Sequence, residues 1–222
     1  METVPRDLWN QRVVKRHAKK RGKHPSLVLL DRSYHHAAMK KLREAEKRGR
    51  PDIVHFTLLE ALGAPLNREG HLEVYVHTRD EKVITIDRET RLPRNYNRFV
   101  GLIEQLFERR RISSADRELL IVESKTLPQL LGQIKTDYVL TFGREGSSKT
   151  IEEVVSTLFK KQRPTIIVGG FPHGQFSDTT VQLADEVVCV DPEMIDTWTL
   201  TSRVIYEYER ASSLPQKRLK QQ

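Results

Sequence analysis

The chain has 222 residues, 37% hydrophobic and 31% charged, enough to bury a full core as one α/β domain or one domain with an insertion. Lys and Arg outnumber Asp and Glu by 38 to 30, a formal charge of +8, and clustered arginines point to a phosphate-bearing partner, nucleic acid, ahead of plain surface charge. The single cysteine, Cys189, excludes a disulfide framework and a cysteine zinc cluster; no apolar run nears the roughly 18 residues of a membrane span and no signal-peptide core opens the chain, so a cytoplasmic location is expected.

In chain order, residues 1–25 read as a basic N-terminal arm, because Arg12–His24 (RVVKRHAKKRGKH) shows almost no apolar periodicity. Ser26–Leu30 is an apolar strand candidate, and His35–Lys47 has a helical pattern stopped by Gly49. Arg50-Pro51-Asp52 then leads into Ile53–Phe56 and a short helix at Thr57–Leu62, followed by a turn bracketed by Pro65 and Gly70. Leu72–His77 and Lys82–Ile86 alternate and are split by a polar tetrapeptide, a hairpin signal. A loop carrying Arg91, Pro93 and Arg94 precedes a helix at Asn97–Arg111, whose Phe99, Leu102, Ile103, Leu106 and Phe107 share a face.

The second half is regular. Strands are expected at Leu119–Val122, Tyr138–Phe142, Thr165–Val168 and Glu186–Val190, and helices at Leu127–Gln133, Ile151–Lys160 and Asp196–Tyr208. This succession implies a parallel sheet with right-handed crossovers. After Ala211 the tail to residue 222 is expected to be disordered.

Several chemistries are disfavoured by spacing. Gly143–Thr150 (GREGSSKT) follows a strand as a phosphate loop would, but Ser148 precedes Lys149 where that loop needs glycine; Ser147 or Ser148 as a helix cap is the better reading. His35 and His36 are adjacent and diverge by about 100° on a helix, so no metal site is expected. No G-x-S-x-G elbow is present, and Cys189 falls in an apolar strand as an inert thiol.

Two constellations remain. Thr165–Phe176 (TIIVGGFPHGQF) is a strand running into a glycine loop, where an α/β sheet lets backbone approach a ligand. Arg91, Arg94 and Arg98 straddle a proline loop and a helix start, while Arg50 and Asp52 flank Pro51, so the carboxylate can hold the guanidinium in one orientation.

The Arg50-Pro51-Asp52 triplet, the turn Pro65–Gly70 (PLNREG), Leu72–Thr78 (LEVYVHT) and Arg91–Leu106 (RLPRNYNRFVGLIEQL) together resemble the ribosome-biogenesis methyltransferases of the SPOUT class that modify N1 of a pseudouridine in small-subunit rRNA. The likeness is to the short, archaeal-type members and spans about residues 26–210. It implies a SPOUT-type α/β fold, a mainly parallel sheet with a C-terminal trefoil knot and a small antiparallel β insertion at about 70–95, and it implies S-adenosylmethionine as cofactor and a homodimer. By the same resemblance Arg50, Arg91, Arg94 and Arg98 contact rRNA, with Asp52 orienting Arg50. Cofactor contacts fall on Leu140, Thr141 and Phe142, on Gly169, Gly174, Gln175 and Phe176, and on Cys189, Val190, Asp191, Met194, Ile195 and Leu200. Relatives often carry an aspartate where this chain has Gly63, so a base role at that position does not transfer and no catalytic side chain is assigned. Two rival readings are a non-catalytic rRNA-binding assembly factor and a SPOUT enzyme acting on tRNA.

Overall fold

The computed structural model describes residues 1–220. They divide into two compact units: Met1–Phe56, Val74–Lys125 and Phe171–Gly174 form the first, and Thr57–Glu73, Thr126–Gly170 and the chain from Gln175 form the second.

The first unit begins with a surprise for the sequence reading. The basic segment is not a loose arm but a helix, α1 (Arg12–Lys20), which buries Val14 and Ala18 against Val4, Leu8, Val28 and Leu30. Two buried residues four apart suffice for one helix face, and the surrounding cations hide so short a stripe. The segment Ser26–Leu30 is a single-turn 3-10 helix at Pro25–Leu27 followed by one antiparallel bridge, Thr3 to Leu29. Arg48 clamps the N-terminal residues with a two-pronged bond to Glu2 at 2.7 and 2.5 Å.

Helix α2 (Arg32–Met39) starts earlier than expected because Asp31 caps it, accepting from Ser33 N–H at 2.8 Å, and it ends at Met39 rather than Lys47. Residues Ala45–Lys47 form a separate 3-10 turn. Where only a short helix at Thr57–Leu62 was expected, one longer helix, α3 (Pro51–Gly63), takes in Ile53–Phe56 as well; proline at its first position is pre-set for helix and loses no bond there. A four-residue turn of helix, α4 (Pro65–Arg68), follows.

The expected hairpin is present as β1 (Val74–His77) and β2 (Lys82–Ile86), paired antiparallel with Val76 opposite Ile84. Helix α5 (Tyr96–Arg109) buries Phe99, Val100, Ile103 and Leu106, and turns out of the helix at Arg110. The next strands are β3 (Arg111–Ser114), where no strand was expected and whose first residue was the expected end of the helix, and β4 (Arg117–Ser124). Strand β4 belongs to an antiparallel sheet of order β1-β2-β4-β3 rather than to the parallel one. Its own pattern agrees with this: Leu120 and Val122 on one face are buried, while Leu119 and Ile121 on the other are only partly so and Glu123 is exposed, the alternation of a one-sided sheet.

The second unit holds a parallel sheet of order β6-β5-β7. Helix α6 (Leu127–Gln133) precedes β5 (Tyr138–Ser148); α7 (Ile151–Leu158) leads to β6 (Pro164–Ile167); α8 (Asp178–Gln182) leads to β7 (Glu186–Cys189); α9 (Thr197–Ala211) closes the unit. Serines 147 and 148 lie in β5, and it is Thr150 that caps α7 in a reciprocal box with Glu153. Strand β5 pairs with β7 twice, through Phe142 and again through Ser147, with a register break between. There Gly146 approaches so closely that a Cβ would stand 2.5 Å from the Val187 carbonyl. The expected disordered tail instead forms α10 (Leu214–Leu219), with Leu214 buried and Arg218 paired to Glu69; residues 221 and 222 of that expectation lie outside the described residues.

Candidate functional site

In the first unit the four arginines fall into two settings. Arg50 precedes α3 and is gripped by Asp52 in that helix's first turn: Nε donates at 2.9 and 3.1 Å and Nη2 at 2.7 Å. Asp52 holds the guanidinium's pKa above its ordinary value, and its position at a helix N-terminus is electrostatically favourable. With the two side chains 37% and 28% exposed, the pair contributes little stability, under about 1 kcal/mol. Its consequence is orientation: one edge of the fork faces Asp52 and the other is left for a ligand.

Arg91, Arg94 and Arg98 are exposed, and none of their guanidiniums has a hydrogen-bond or ion-pair partner among the described residues. Asn95 caps α5 by accepting from the backbone N–H of Arg98 at 3.1 Å, so Arg98 sits in the first turn and Arg94 just outside it. That first turn contains no acidic residue. Two cations at the positive end of a helix repel its dipole, and an anion is what relieves the arrangement.

The loop bearing these arginines is pinned from beneath. His55 on α3 is fully buried, stacks on Phe99 at 4.2 Å and donates Nε2–H to the Pro93 carbonyl at 2.7 Å. Tyr96 donates to Asp31 at 2.5 Å; burial and then that carboxylate push its phenol well above the ordinary range. Asp31 N–H donates to Nδ1 of His35, so His35 carries its hydrogen on Nε2 and gives it to His17 at 2.9 Å. Burial, reinforced by His17, takes His35 down to about 4. Sequence weighed His35 only as a metal ligand and set it aside, and it gave His55 and Tyr96 no part in holding this loop. A histidine five residues beyond Arg50 on one helix is the only hint, and it looks like any buried ring.

At the other end of α5, Glu104 is fully buried and accepts from Lys23, Arg21 and the Leu29 N–H. Burial alone would raise its pKa, but these three donors outweigh it and hold the carboxyl below its usual range.

All the expected cofactor residues except Gly174 lie in the second unit. Phe142, Val190, Ile195 and Leu200 pack in one apolar cluster with Val155 and Val204 at the carboxyl ends of the parallel strands. Leu140 and Thr141 are fully buried; Leu140 belongs to the core and Thr141 donates to the Ile167 carbonyl at 3.1 Å, which leaves neither side chain open to a ligand. Met194 is 66% exposed. The loop after β6 is fastened where Thr197 donates to the Gly169 carbonyl at 2.8 Å and where Gln175 donates to Glu145 at 2.9 Å. Thr197 was not singled out from sequence. The loop after β7 turns on Asp191, which accepts from Glu193 N–H through its side chain and from Cys189 Sγ through its carbonyl. Phe176 lies between Gln175 and the Ser177 cap of α8. Gly174 belongs to the first unit, with φ +94° and a virtual Cβ 2.7 Å from the Lys47 side chain.

The chain matches the family model described as EMG1/NEP1 methyltransferase over residues 1–209. It is 46% identical over 209 residues to the Ribosomal RNA small subunit methyltransferase Nep1 of Thermococcus sibiricus, covering 94% of this chain and 93% of that one. Against the protein of the same name from Pyrococcus furiosus the identity is 42%, with 94% and 92% covered. Among solved structures, the crystal structure of Archaeoglobus fulgidus Nep1 bound to S-adenosylhomocysteine superimposes with a TM-score of 0.85 at 41% identity, covering 96% of this chain and 94% of that chain. On sequence and fold alike, the chain belongs to the EMG1/NEP1 methyltransferase family.

Proposed function

We propose that this protein transfers a methyl group from S-adenosylmethionine to N1 of a pseudouridine in small-subunit rRNA, as a step in small-subunit biogenesis. The observation that carries the reading is the likeness, at a TM-score of 0.85 and 41% identity, to a structure bound to the demethylated cofactor product, in a chain whose relatives are named small-subunit rRNA methyltransferases.

The donor set of the second unit fits such a cofactor. Phe142, Val190, Ile195 and Leu200 offer an apolar wall for an adenine, and the Gly169–Gly170 and Asp191 loops bring backbone groups to the strand ends, where α/β sheets bind ligands. When bound, S-adenosylmethionine supplies an electrophilic methyl on a sulfonium. The double pairing of β5 with β7 and the tight seat of Gly146 are compatible with the threaded, knotted chain path expected of this class.

The protein's own residues position the nucleotide. Arg91, Arg94 and Arg98 offer unpaired forks to phosphates, while Asp52 fixes Arg50 for a two-pronged contact. A target base held out of its loop is reached by a rigid frame rather than by a moving one, since His55 and Tyr96 tie the arginine loop to buried groups. Cationic guanidiniums beside N1–H favour its deprotonated form. No side chain is assigned as base; Gly63 offers none.

We infer a cytoplasmic homodimer. No helix among the described residues is long and apolar enough to cross a membrane, and Met194, Tyr206 and Phe159 are exposed apolar surface that a second copy would cover. Light scattering on the purified protein is expected to give about twice 25.8 kDa; a monomer at working concentration would refute the dimer. The function itself is tested by incubating a pseudouridine-containing small-subunit rRNA fragment with labelled cofactor and locating the methyl by mass spectrometry.

A further inference from the structure

The first unit carries a second basic feature that shares no residue with the four arginines. Between the first turn of the chain and α1 lies an open cavity of about 550 Å³, lined in part by Arg6, Trp9, Lys15, Lys19, Lys23 and His24 and by no carboxylate among the described residues. Its volume falls within the range of small-ligand sites.

The cations of this region are used in two ways. Arg21 and Lys23 are matched to the buried carboxylate of Glu104, which ties the end of α1 to α5. Arg6, Lys15 and Lys19 have no partner among the described residues. Lys15 and Lys19 stand one turn apart on the same helix face, an arrangement that weakens a helix unless something anionic lies across it. Helix α1 has no acidic residue in its first turn, so nothing within the helix start supplies that anion. The rim is rigid: Trp9 is held by its Nε1–H bond to the Val4 carbonyl at 2.8 Å and meets the His24 ring edge-on at 5.0 Å.

We propose that this cavity is a second RNA site, which takes the sugar–phosphate backbone of the substrate outside its target loop, with Arg6, Lys15 and Lys19 as phosphate contacts and Trp9 as the rim. It rests on the RNA reading above and extends it: the arginines choose the target loop, and the cavity holds flanking nucleotides. A phosphodiester fits better than a free mononucleotide because cations dominate an open trough in which Asn10 offers the single carboxamide.

The test compares the wild-type protein with K15Q/K19Q on two RNAs, the isolated target loop and the same loop with its flanking stems. Both lysines are exposed, so an unchanged melting curve is expected. On the long RNA the slope of log affinity against log salt should shrink by about 1.4 to 1.8, the value for two lost phosphate contacts. On the isolated loop, affinity and methyl transfer should be unchanged. A second readout uses Trp9 as the remaining tryptophan in a W198F background, the chain having two; its fluorescence should respond to the long RNA and not to the loop. Equal behaviour of wild type and K15Q/K19Q on the long RNA overturns the proposal, as does an equal loss on both RNAs. If the wild-type protein neither binds nor methylates the loop, the function itself has failed, a separate and recognisable result.

Discussion

Replacing His55 by phenylalanine isolates the bond that pins the arginine loop. An aromatic ring is kept to stack on Phe99 at 4.2 Å; the donor to the Pro93 carbonyl at 2.7 Å is lost, together with Nδ1, which is buried without a hydrogen-bond partner among the described residues and whose removal offsets part of the cost. Pro93 is half-buried, so water can replace part of that bond. The cost should sit near the bottom of the roughly 1–3 kcal/mol range for an orphaned carbonyl. At about 2–4 °C per kcal/mol for a chain of this size, the melting temperature should fall by only a few degrees. The RNA effect should be larger than the stability effect. A released loop must be ordered again on binding, and fixing even two residues' backbone costs about 2–4 kcal/mol. Partial retention of order by Asn95 and Tyr96 brings the expected loss to roughly ten- to a hundredfold in RNA affinity, with S-adenosylhomocysteine affinity unchanged. Fluorescence anisotropy with the target loop and calorimetry with S-adenosylhomocysteine measure the two. A variant that melts lower but binds RNA as wild type would show that His55 merely fills the core.

Four further outcomes follow from the same geometry. Asp52→Asn should leave stability nearly unchanged, because the pair is half exposed, yet lower methyl transfer by misorienting Arg50; transfer equal to wild type would refute the clamp. Arg91→Gln and Arg94→Gln should each reduce the salt slope of RNA binding by about 0.7–0.9 with cofactor affinity intact, read by anisotropy across a salt series. His35 binds a proton more weakly folded than unfolded, at about 4 against 6.5; between those values the unfolded chain holds more protons, so stability falls as pH drops from 6.5 to about 4 and His35 adds nothing further below. That loss amounts to at most about 3 kcal/mol and should be absent from the pH series of thermal midpoints in His35→Gln. Gly146→Ala should be more damaging than Gly174→Ala, since the first meets backbone at 2.5 Å, whereas the second meets the flexible end of Lys47 and costs mainly the strain of a side chain at φ +94°; thermal denaturation ranks them, and the reverse order would contradict the tight β5–β7 crossing.

What the sequence made legible were features with a strong local signal. The β1–β2 hairpin alternates with period two, α5 repeats its apolar residues at three and four, and the strands β5, β6 and β7 are short apolar runs between helices. The arginine set was readable too, because Arg50-Pro51-Asp52 and Arg91–Arg98 combine residue types that a solvated surface does not require. The elements that escaped depend on distant partners. Helix α1 rests on two small buried residues and on Glu104, more than eighty positions away. Helix α10 is fixed by Leu214 and by an ion pair from Arg218 to Glu69. The same holds for His55, whose importance lies in a carbonyl thirty-eight residues on.

The most direct measurement is methyl transfer to a small-subunit rRNA fragment carrying one pseudouridine, compared with the same fragment carrying uridine, using isotopically labelled S-adenosylmethionine and mass spectrometry of the digested RNA. The proposed function predicts one labelled methyl on N1 of the pseudouridine and none on the uridine control. Tight binding of both fragments with no methyl on either would contradict it and make the protein an assembly factor; methylation of tRNA in preference to the rRNA fragment would contradict its substrate.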